Sequence, residues 1–497
     1  MSSTRKHRHV GGRLTRQFAA LALALAASCV CAAGAMAAGN VNIVRQAGAP
    51  SGEIPKGTHY YTTIQAAVEA SFKNDWVLIE PGTYHEAVKV TAAHAGISIR
   101  GMDRNGVIID GDNHPGVGVE ISKTNKVSVE NLTVRNFDTG ECDCGNEIWF
   151  NGGDGSGTIG AHGWIGRYLT AYDTGVHGGY GIFTSNEEDG EYENIYASGF
   201  NDSGLYIGAC RECGARVTGA VMENNALGYS GSNSSGRLVI ENSIFRHNLT
   251  GIAPNSENPS DPPPPLDGAC NSFKNTSPTP KFDTTKIQRC EVLRNNRVED
   301  NSNLTAPTNG STEVAPWGVG IELPGDYAVL VEGNFVAGNP NNGVLGFEYP
   351  NPFPPEPQTI FFQFSGNRIS NNAFSGNGYN QPGGASSIYT GDLSMLSGYA
   401  ELFGGPPSES VNNCASGNQF TAQTFPAEIE GTWGCQNKTT PNPGDGLGAA
   451  EYLLTLQAEA EFIRTPLPQP APGAQPTMPK PCAGVPKNPL CPKGNIK

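Results

Sequence analysis

Positively charged residues are scarce in this chain of 497 residues, which contains 32 Lys and Arg against 47 Asp and Glu. Charged residues of both signs make up only 16% of the sequence, and the formal net charge is −15. Proteins that bind nucleic acids or anionic membranes neutralise phosphates with clusters of Lys and Arg. Because we find no basic patch outside the N-terminal leader, the sequence predicts no nucleic-acid partner.

An apolar run long enough to span a membrane is also missing, since Phe18–Val30 is shorter than the roughly 20 residues needed. This run follows five basic residues and precedes Ala35-Met36-Ala37, a typical cleavage site. Residues 1–37 are therefore predicted to be a signal peptide, cleaved near Ala37, of a secreted (extracellular or periplasmic) protein. The alternatives are an uncleaved anchor and a lipoprotein site at Ser28-Cys29. Cleavage leaves 27 basic against 47 acidic residues, a net charge of −20.

Helix-favouring stretches are rare, because the chain contains 64 Gly and 37 Pro. A short motif recurs instead: Gly-Ile-Phe at 181, Gly-Leu-Tyr at 204 and Gly-Tyr-Ser at 228, every 23 or 24 residues. A unit of this size cannot bury its own apolar side, so repeats must stack on one another. The period is too short for propeller blades and too long for hexapeptide solenoids.

An asparagine hexad marks the same units. It occurs, with variations, as NLTVRN at 131, NIYASG at 194, GAVMEN at 219, NSIFRH at 242, NRVEDN at 296, NFVAGN at 334 and NRISNN at 367. Asparagine tolerates left-handed backbone geometry, and its amide can bond the equivalent residue one coil away. We therefore expect ladders that hold coils in register and perform no chemistry. The predicted fold is an all-β, single-stranded right-handed parallel β-helix.

The boundaries of this solenoid follow from the sequence around it. Thr62 or Thr63 is a candidate N-cap of a helix in YTTIQAAVEASF that covers the open N-terminal end. GAAEYLLTLQAEAEFI is a candidate short helix in the tail, which either caps the other end or has no role. The predicted domains are a signal peptide (1–37), an N-terminal extension (38–61), the β-helix (62–440, with insertions near 254–290 and 348–358) and a Pro-rich tail (441–497).

Ten cysteines remain after the leader, all in close sequence pairs: Cys142/Cys144, Cys210/Cys213, Cys270/Cys290, Cys414/Cys435 and Cys482/Cys491. In an exported protein an even number of cysteines indicates disulfides, although their connectivity does not follow from spacing. A four-thiolate zinc site made by the first two pairs is the alternative.

Candidate catalytic residues lie in the turns that follow the hexads. Asp138, Asp173 and Asp202 fall at similar positions, where stacked carboxylates would recruit Ca²⁺ or serve as catalytic carboxylates. Turn capping is the alternative for these aspartates. His177 and Tyr180, in the Gly-rich DTGVHGGYG, are candidate acid or base groups, and a solvent-facing loop is the alternative for His177.

Aromatic residues suggest a sugar-binding face. At a strict period of 23, Phe183, Tyr206 and Tyr229 form one outward column whose rings suit pyranose faces. If the glycines are aligned instead, Tyr229 moves into the core, whereas Phe183 and Tyr206 stay outside. The acidic stretch 186–193 is either a second Ca²⁺ site or a solvated loop.

The segments TIQAAV, VLIEPGTYHEAVKV and ISIRG resemble the opening of the pectin-lyase-like superfamily of secreted parallel β-helix proteins. The resemblance implies this fold over about 62–380 and a polysaccharide substrate. The chain lacks the DFIFG-type, GHG, paired DD and arginine motifs of its esterases, polygalacturonases and pectate lyases, and matches the alginate epimerase motif only in YG at 180. We expect a monomeric uronate-polymer lyase or glycoside hydrolase. A non-catalytic polysaccharide-binding matrix protein and a metal-handling protein are the alternatives.

Overall fold

The structure is a computed structural model. It describes residues 39–139, 146–153, 158–210, 212–234, 236–255, 290–309, 312–313, 315–350, 361–362, 364–380, 387–398, 412–436 and 446–494. The predicted signal peptide, Cys142, Cys144, Cys270 and nearly all of the insertion near 254–290 lie outside these residues.

Short strands dominate the described chain. In chain order the first half are β1 Val41–Val44, β2 Thr58–Tyr61, β3 Trp76–Ile79, β4 Gly82–Tyr84, β5 Val88–Val90, β6 Ser98–Gly101, β7 Val107–Pro115, β8 Val117–Ser122, β9 Ser128–Asp138, β10 Asn146–Asn151, β11 Ala161–His162, β12 Ile165–Tyr172, β13 Tyr180–Ser185, β14 Glu187–Glu188, β15 Glu191–Glu193, β16 Tyr196–Ser198, β17 Ser203–Gly208 and β18 Arg216–Thr218. The second half are β19 Val221–Glu223, β20 Leu227–Ser232, β21 Leu238–Glu241, β22 Ile244–Arg246, β23 Thr250–Asn255, β24 Glu291–Arg294, β25 Arg297–Glu299, β26 Val319–Pro324, β27 Val329–Glu332, β28 Phe335–Ala337, β29 Asn342–Phe347, β30 Tyr349–Pro350, β31 Phe361–Phe362, β32 Arg368–Ser370, β33 Ala373–Ser375, β34 Gly391–Met395, β35 Cys414–Ser416 and β36 Thr424–Phe425. The helices are α1 Ile64–Glu69, α2 Ile429–Thr432 and α3 Gly446–Ile463.

The strands stack as coils of a solenoid. Each regular coil adds two strands to a 21-stranded sheet, called sheet A, and one strand to an 11-stranded sheet, called sheet B. Neighbouring coils pair in parallel, for example β18 with β21, β19 with β22 and β17 with β20. The predicted parallel β-helix is confirmed. The solenoid begins earlier than predicted, because β1 pairs with β2 and β3, so the proposed extension 38–61 belongs to the coils.

The recurring Gly motif occupies the strands of sheet B. Leu205 pairs with Tyr229, and both are fully buried inside the coil. The glycine before each core residue has no room for a side chain: a Cβ at Gly204 would lie 2.7 Å from Asn225 Nδ2, and one at Gly228 would lie 2.8 Å from Asn248 Nδ2. The Gly motif therefore leaves space for an asparagine amide.

Those amides form the expected ladders. Asn225 Nδ2 donates to Asn248 Oδ1 over 3.1 Å, and equivalent bonds of 3.0–3.1 Å continue through Asn301 and Asn339 to Asn377. A second ladder joins Asn334, Asn372 and Asn418. Other asparagines of the hexads take left-handed backbone conformations. They include Asn131 and Asn194 at 58° and 54° in φ. The ladder interpretation is confirmed.

Helices cover the N-terminal end and one flank. Thr63 caps α1, accepting a hydrogen bond from the Ala66 amide, and Ile64 packs into the coil core as expected for a capping helix. Helix α3 packs through Tyr452 and Leu456 against outward side chains of sheet B such as Leu345, so it covers a flank. Within the described residues no helix has the length and apolar character needed to cross a membrane.

With both cysteines among the described residues, three of the predicted close pairs form disulfides: Cys210–Cys213, Cys414–Cys435 and Cys482–Cys491. Cys290 is buried and disulfide-bonded, whereas Cys270, its predicted partner, lies outside the described residues. The zinc alternative is wrong, because Cys210 and Cys213 are oxidised to each other.

Most of the second Pro-rich insertion, near 348–358, lies outside the described residues, and the strands on either side of that gap, β30 and β31, pair antiparallel.

Candidate functional site

Aromatic rings stack on the outer face of sheet B. Trp149, Phe183 and Tyr206 occupy the same register position in β10, β13 and β17, and we call them the aromatic column. Phe183 and Tyr206 are stacked with their centroids 4.5 Å apart, and Trp149 meets Phe183 edge-on at 5.6 Å. Trp149 and Phe183 remain partly exposed, whereas Tyr206 is 8% exposed. The column therefore presents apolar ring surface at coil spacing.

Tyr229 does not belong to this column. It pairs with Leu205, is fully buried, and its hydroxyl contacts Ile207 O and Ser234 Oγ at 3.4 and 3.5 Å. Since side chains alternate along a strand, Ser230 takes the outward position beside Tyr206. The substrate-binding role predicted for Tyr229 is wrong, and the glycine alignment is the correct one.

A tyrosine–carboxylate pair lies at the edge of the aromatic column. Tyr180 is the first residue of β13, and its hydroxyl donates to Asp202 Oδ2 over 2.9 Å. The ring of Tyr180 also contacts Phe183 at 4.4 Å and Tyr206 at 5.5 Å between centroids. Both partners are half-buried and therefore remain partly exposed to solvent. Two of the predicted catalytic residues are thus brought together.

Asp173 has a different role from its neighbours. Its side chain is 1% exposed, and its two carboxylate oxygens accept hydrogen bonds from the Gly175 and Gly178 amides at 2.9 and 2.8 Å. These bonds fix the turn that carries His177 and leads into Tyr180. Asp173 is therefore a turn-capping residue, and the structure contradicts its predicted role as a catalytic group or cation ligand.

Asp138 lies close to this turn. Partial burial raises its pKa and so does nearby Asp173, whereas His177 and His114 lower it. One oxygen of Asp138 is buried without a hydrogen-bond partner among the described residues. His177 is exposed, and its carbonyl accepts the Thr139 amide over 2.9 Å, which fixes the histidine turn against the preceding coil. The turn thus combines a partly desolvated carboxyl with an accessible imidazole.

Glu147 lies near the turn of Asp138 and Asp173, and it was not identified from the sequence. Burial raises the pKa of Glu147 well above its ordinary value, against the opposing hydrogen bond from the Phe137 amide at 3.0 Å. Its other carboxylate oxygen has no partner among the described residues. Its environment therefore favours the protonated form of Glu147. No sequence signal distinguishes it, because it stands alone beside a poorly repeating segment.

Trp149 was also missed. It lies 34 residues before Phe183, whereas Phe183 and Tyr206 are 23 apart, so inserted turn residues hid the period. Alignment of the apolar alternation in NEIWFN with GIFTS is the signal that would have found it.

The predicted three-aspartate Ca²⁺ site does not fit the geometry. Both carboxylate oxygens of Asp173 accept hydrogen bonds from backbone amides. Within the described part of the chain, the carboxylates of Asp138, Asp173 and Asp202 do not lie close enough together to share one metal ion. The one such group found there is His162, Glu188 and Asp189, partly within the acidic stretch 186–193. His162 Nδ1 lies 3.6 Å from Glu188 Oε2, and Arg237 already lies 3.3 Å from Asp189.

No protein-family model matches the sequence, and neither does any curated protein. Among solved structures, the A-module of mannuronan C-5 epimerase AlgE4 from Azotobacter vinelandii is 14% identical, with a TM-score of 0.44 over 76% of this chain and 95% of that one. The alginate lyase from Paenibacillus sp. str. FPU-7 is 11% identical, with a TM-score of 0.37 over 73% and 93%. Pectate lyase Pel9A is 14% identical, with a TM-score of 0.39 over 77% and 80%.

Structural similarity at this distance does not indicate the substrate or the reaction of this chain. The fold is established by the chain's own strand pairing, in which parallel coils run from β1 to β36. The chain has the parallel β-helix fold that its resemblance to the pectin-lyase-like superfamily implies.

Proposed function

We propose that this protein binds a polysaccharide along the aromatic column and cleaves it beside Tyr180. The observation that carries the proposal is the stacked pair Phe183–Tyr206 in contact with the Tyr180–Asp202 pair. Pyranose rings stack on aromatic faces, and coils rise by roughly 4.8 Å, which is close to one sugar residue per coil. Secretion, expected from the leader and supported by the disulfides, brings the protein to such polymers.

The chemistry needs one group that takes a proton and another that returns one to the leaving oxygen. Tyr180 holds a phenolic proton directed at a carboxylate, so Asp202 can accept that proton when the phenolate is required. His177, exposed in the turn that Asp173 fixes, supplies a second exchangeable proton. Both β-elimination on a uronate and glycoside hydrolysis use a pair of proton-transferring groups of this kind. The products of the turnover assay distinguish the two reactions.

The test uses two variants with matched controls. Phe183→Ala removes the central ring of the column, and we expect polysaccharide affinity to fall roughly tenfold. Phe335→Ala on sheet A, which removes a half-buried ring lying under Arg297, is expected to leave affinity unchanged. Binding is measured on a panel of uronate and neutral polymers.

Turnover is measured on the same panel, from unsaturated products for elimination and new reducing ends for hydrolysis. Tyr180→Phe keeps the ring but loses the hydroxyl, so turnover should fall by about 10²–10⁴ while affinity persists. Tyr196→Phe is the matched control, because it removes a 2.7 Å bond between a tyrosine and Glu223 on sheet A. Full activity of Tyr180→Phe would refute the catalytic assignment.

A non-catalytic binding protein is the second candidate. Its support is the capping role of Asp173, which removes one carboxylate from the predicted catalytic set. Binding that depends on Phe183, together with no product from any polymer of the panel, would establish this candidate in place of the first.

A further inference from the structure

The Pro-rich tail lies against the solenoid. After α3 ends at Ile463, residues 464–491 run back towards the N-terminal coils, and we call them the strap. Tail composition of this kind is typical of a free extended linker. Here, however, Gln469, Val485, Asn488 and Cys491 are buried.

The strap is first attached near Asn303. The Thr465 and Leu467 amides donate to Leu304 O and Thr305 O at 3.1 and 3.0 Å. Asn303 then donates to Gln469 Oε1 over 3.2 Å. This pairing holds the beginning of the strap on the loop that follows β25.

A second attachment lies on the first coils. Asn105 Nδ2 donates to Gln475 O, and the Gln475 amide donates back to Asn105 Oδ1, both over 2.8 Å. Asn131 Oδ1 accepts from the Met478 amide over 2.8 Å. These bonds contact the strap backbone, and the Thr477 side chain adds a bond by donating to Asn131 Oδ1 over 2.8 Å.

Two arginines complete this attachment. Arg100 Nη1 donates to Pro481 O and Ala483 O at 2.9 and 2.7 Å. Arg104 is 2% exposed and donates to Pro476 O over 2.9 Å, to Thr170 Oγ1 and to Leu169 O. Within the described residues its guanidinium is thus held by carbonyl and hydroxyl oxygens, one of which the strap supplies.

The end of the strap covers an apolar patch. Val41, Ile43 and Leu78 point outward from sheet A, while their neighbours Val44 and Val77 point into the core. These outward residues are at most 2% exposed, because Val485 and the disulfide-bonded Cys491 pack on them. Without the strap, the sequence would place three large apolar side chains on an open surface.

The two attachments lie far apart along the axis of the solenoid. Six parallel strand pairings separate β25, next to Asn303, from β7, next to Asn105. The strap therefore crosses several coils between its attachments.

We propose that the outer face of the first coils, formed by Leu78, Arg100, Arg104, Asn105 and Asn131, is a binding surface for an extended proline-rich peptide. Its ligand is the strap of the same molecule, so coils distant along the axis are tied together. The surface lies on sheet A, whereas the aromatic column lies on sheet B, and the proposal is independent of the proposed catalysis.

The test inserts a recognition sequence for a specific protease between Ile463 and Arg464 of the full chain, so that the protein folds before it is cut. After cleavage we expect the strap fragment to co-elute with the solenoid in size-exclusion chromatography. Light scattering should give the mass of one chain, and polysaccharide binding should be unchanged. Arg104→Gln should speed release of the fragment roughly tenfold or more, since a bond from a charged donor is lost.

Arg297→Gln, a sheet A arginine paired with Glu299, is the control and should not change release. A synthetic peptide of residues 464–494, with its disulfide formed, should compete with the cut strap in trans. A fragment that elutes alone from the cut wild type would overturn the proposal, and so would a mass of two chains. Equal release rates for both arginine variants would contradict the assigned surface.

Discussion

Replacing Asn301 with Ala tests the asparagine ladder at a fully buried position. Asn301 is fully buried, and its Oδ1 accepts from the Asn248 amide and side chain at 3.2 and 3.0 Å. Its Nδ2 donates to Phe245 O and Asn339 Oδ1 at 3.2 and 3.1 Å. The substitution leaves four buried groups each short of one bond. At about 1 kcal/mol or more for each, without full additivity, we expect a loss of about 3 kcal/mol.

Asn418 provides the control, because it makes four side-chain bonds in the same pattern while half-buried at the end of a ladder, with the Glu430 carboxylate as its last acceptor in place of an asparagine. Water replaces its bonds, so Asn418→Ala should cost about 1 kcal/mol. Urea unfolding gives both free energies, and hydrogen exchange at the Asn248 amide reports the local effect, since a long solenoid need not unfold in one step. Equal costs for the two variants would refute the view that burial makes the ladder stabilising.

Three further predictions concern single groups. Burial raises the pKa of Glu291 to about 8. The free energy of unfolding should therefore fall as the pH rises from the ordinary glutamate pKa to pH 8, by about 1.4 kcal/mol per pH unit. Glu291→Gln should remove this fall, and an unchanged pH dependence of the urea midpoint would contradict the prediction. Burial also raises the pKa of Asp138, so its ionised form destabilises the fold at pH 7. The Asp138→Asn variant should therefore be more stable than the wild type at pH 7, and this gain should vanish below the ordinary aspartate pKa. Gly251→Ala should cost about 2–3 kcal/mol, because its Cβ would lie 2.4 Å from Gly320 O; Gly431→Ala, with no atom near its Cβ, is the control in calorimetry.

Much of the fold was predictable because its signals are local and repeated. The Gly motif and the asparagine hexads fall on successive coils, and the cap of α1 is a short-range bond from the Ala66 amide to Thr63. The strands within the predicted N-terminal extension were missed, since β1 carries no hexad and is recognisable only from its pairing with distant strands.

The site was predictable only in part. Phe183 and Tyr206 face outward under either alignment, whereas the direction of Tyr229 depends on whether one turn contains an extra residue. The capping bonds of Asp173 depend on the path of a Gly-rich turn, which spacing does not specify. Contacts of the strap join residues about 370 positions apart, such as Asn105 and Gln475, and proline content alone predicts only an extended chain.

The close fit of Gly204 and Gly228 to ladder amides has a consequence for how such a protein can lengthen or shorten in evolution. Gly204 with Asn225, and Gly228 with Asn248, are matched sets one unit apart. Excision of residues 204–227 would bring Gly228 and Asn248 to the places that Gly204 and Asn225 now occupy. A whole unit is thus a cassette that can be duplicated or deleted in one genetic event, whereas an insertion of part of a unit is tolerated only in the turns.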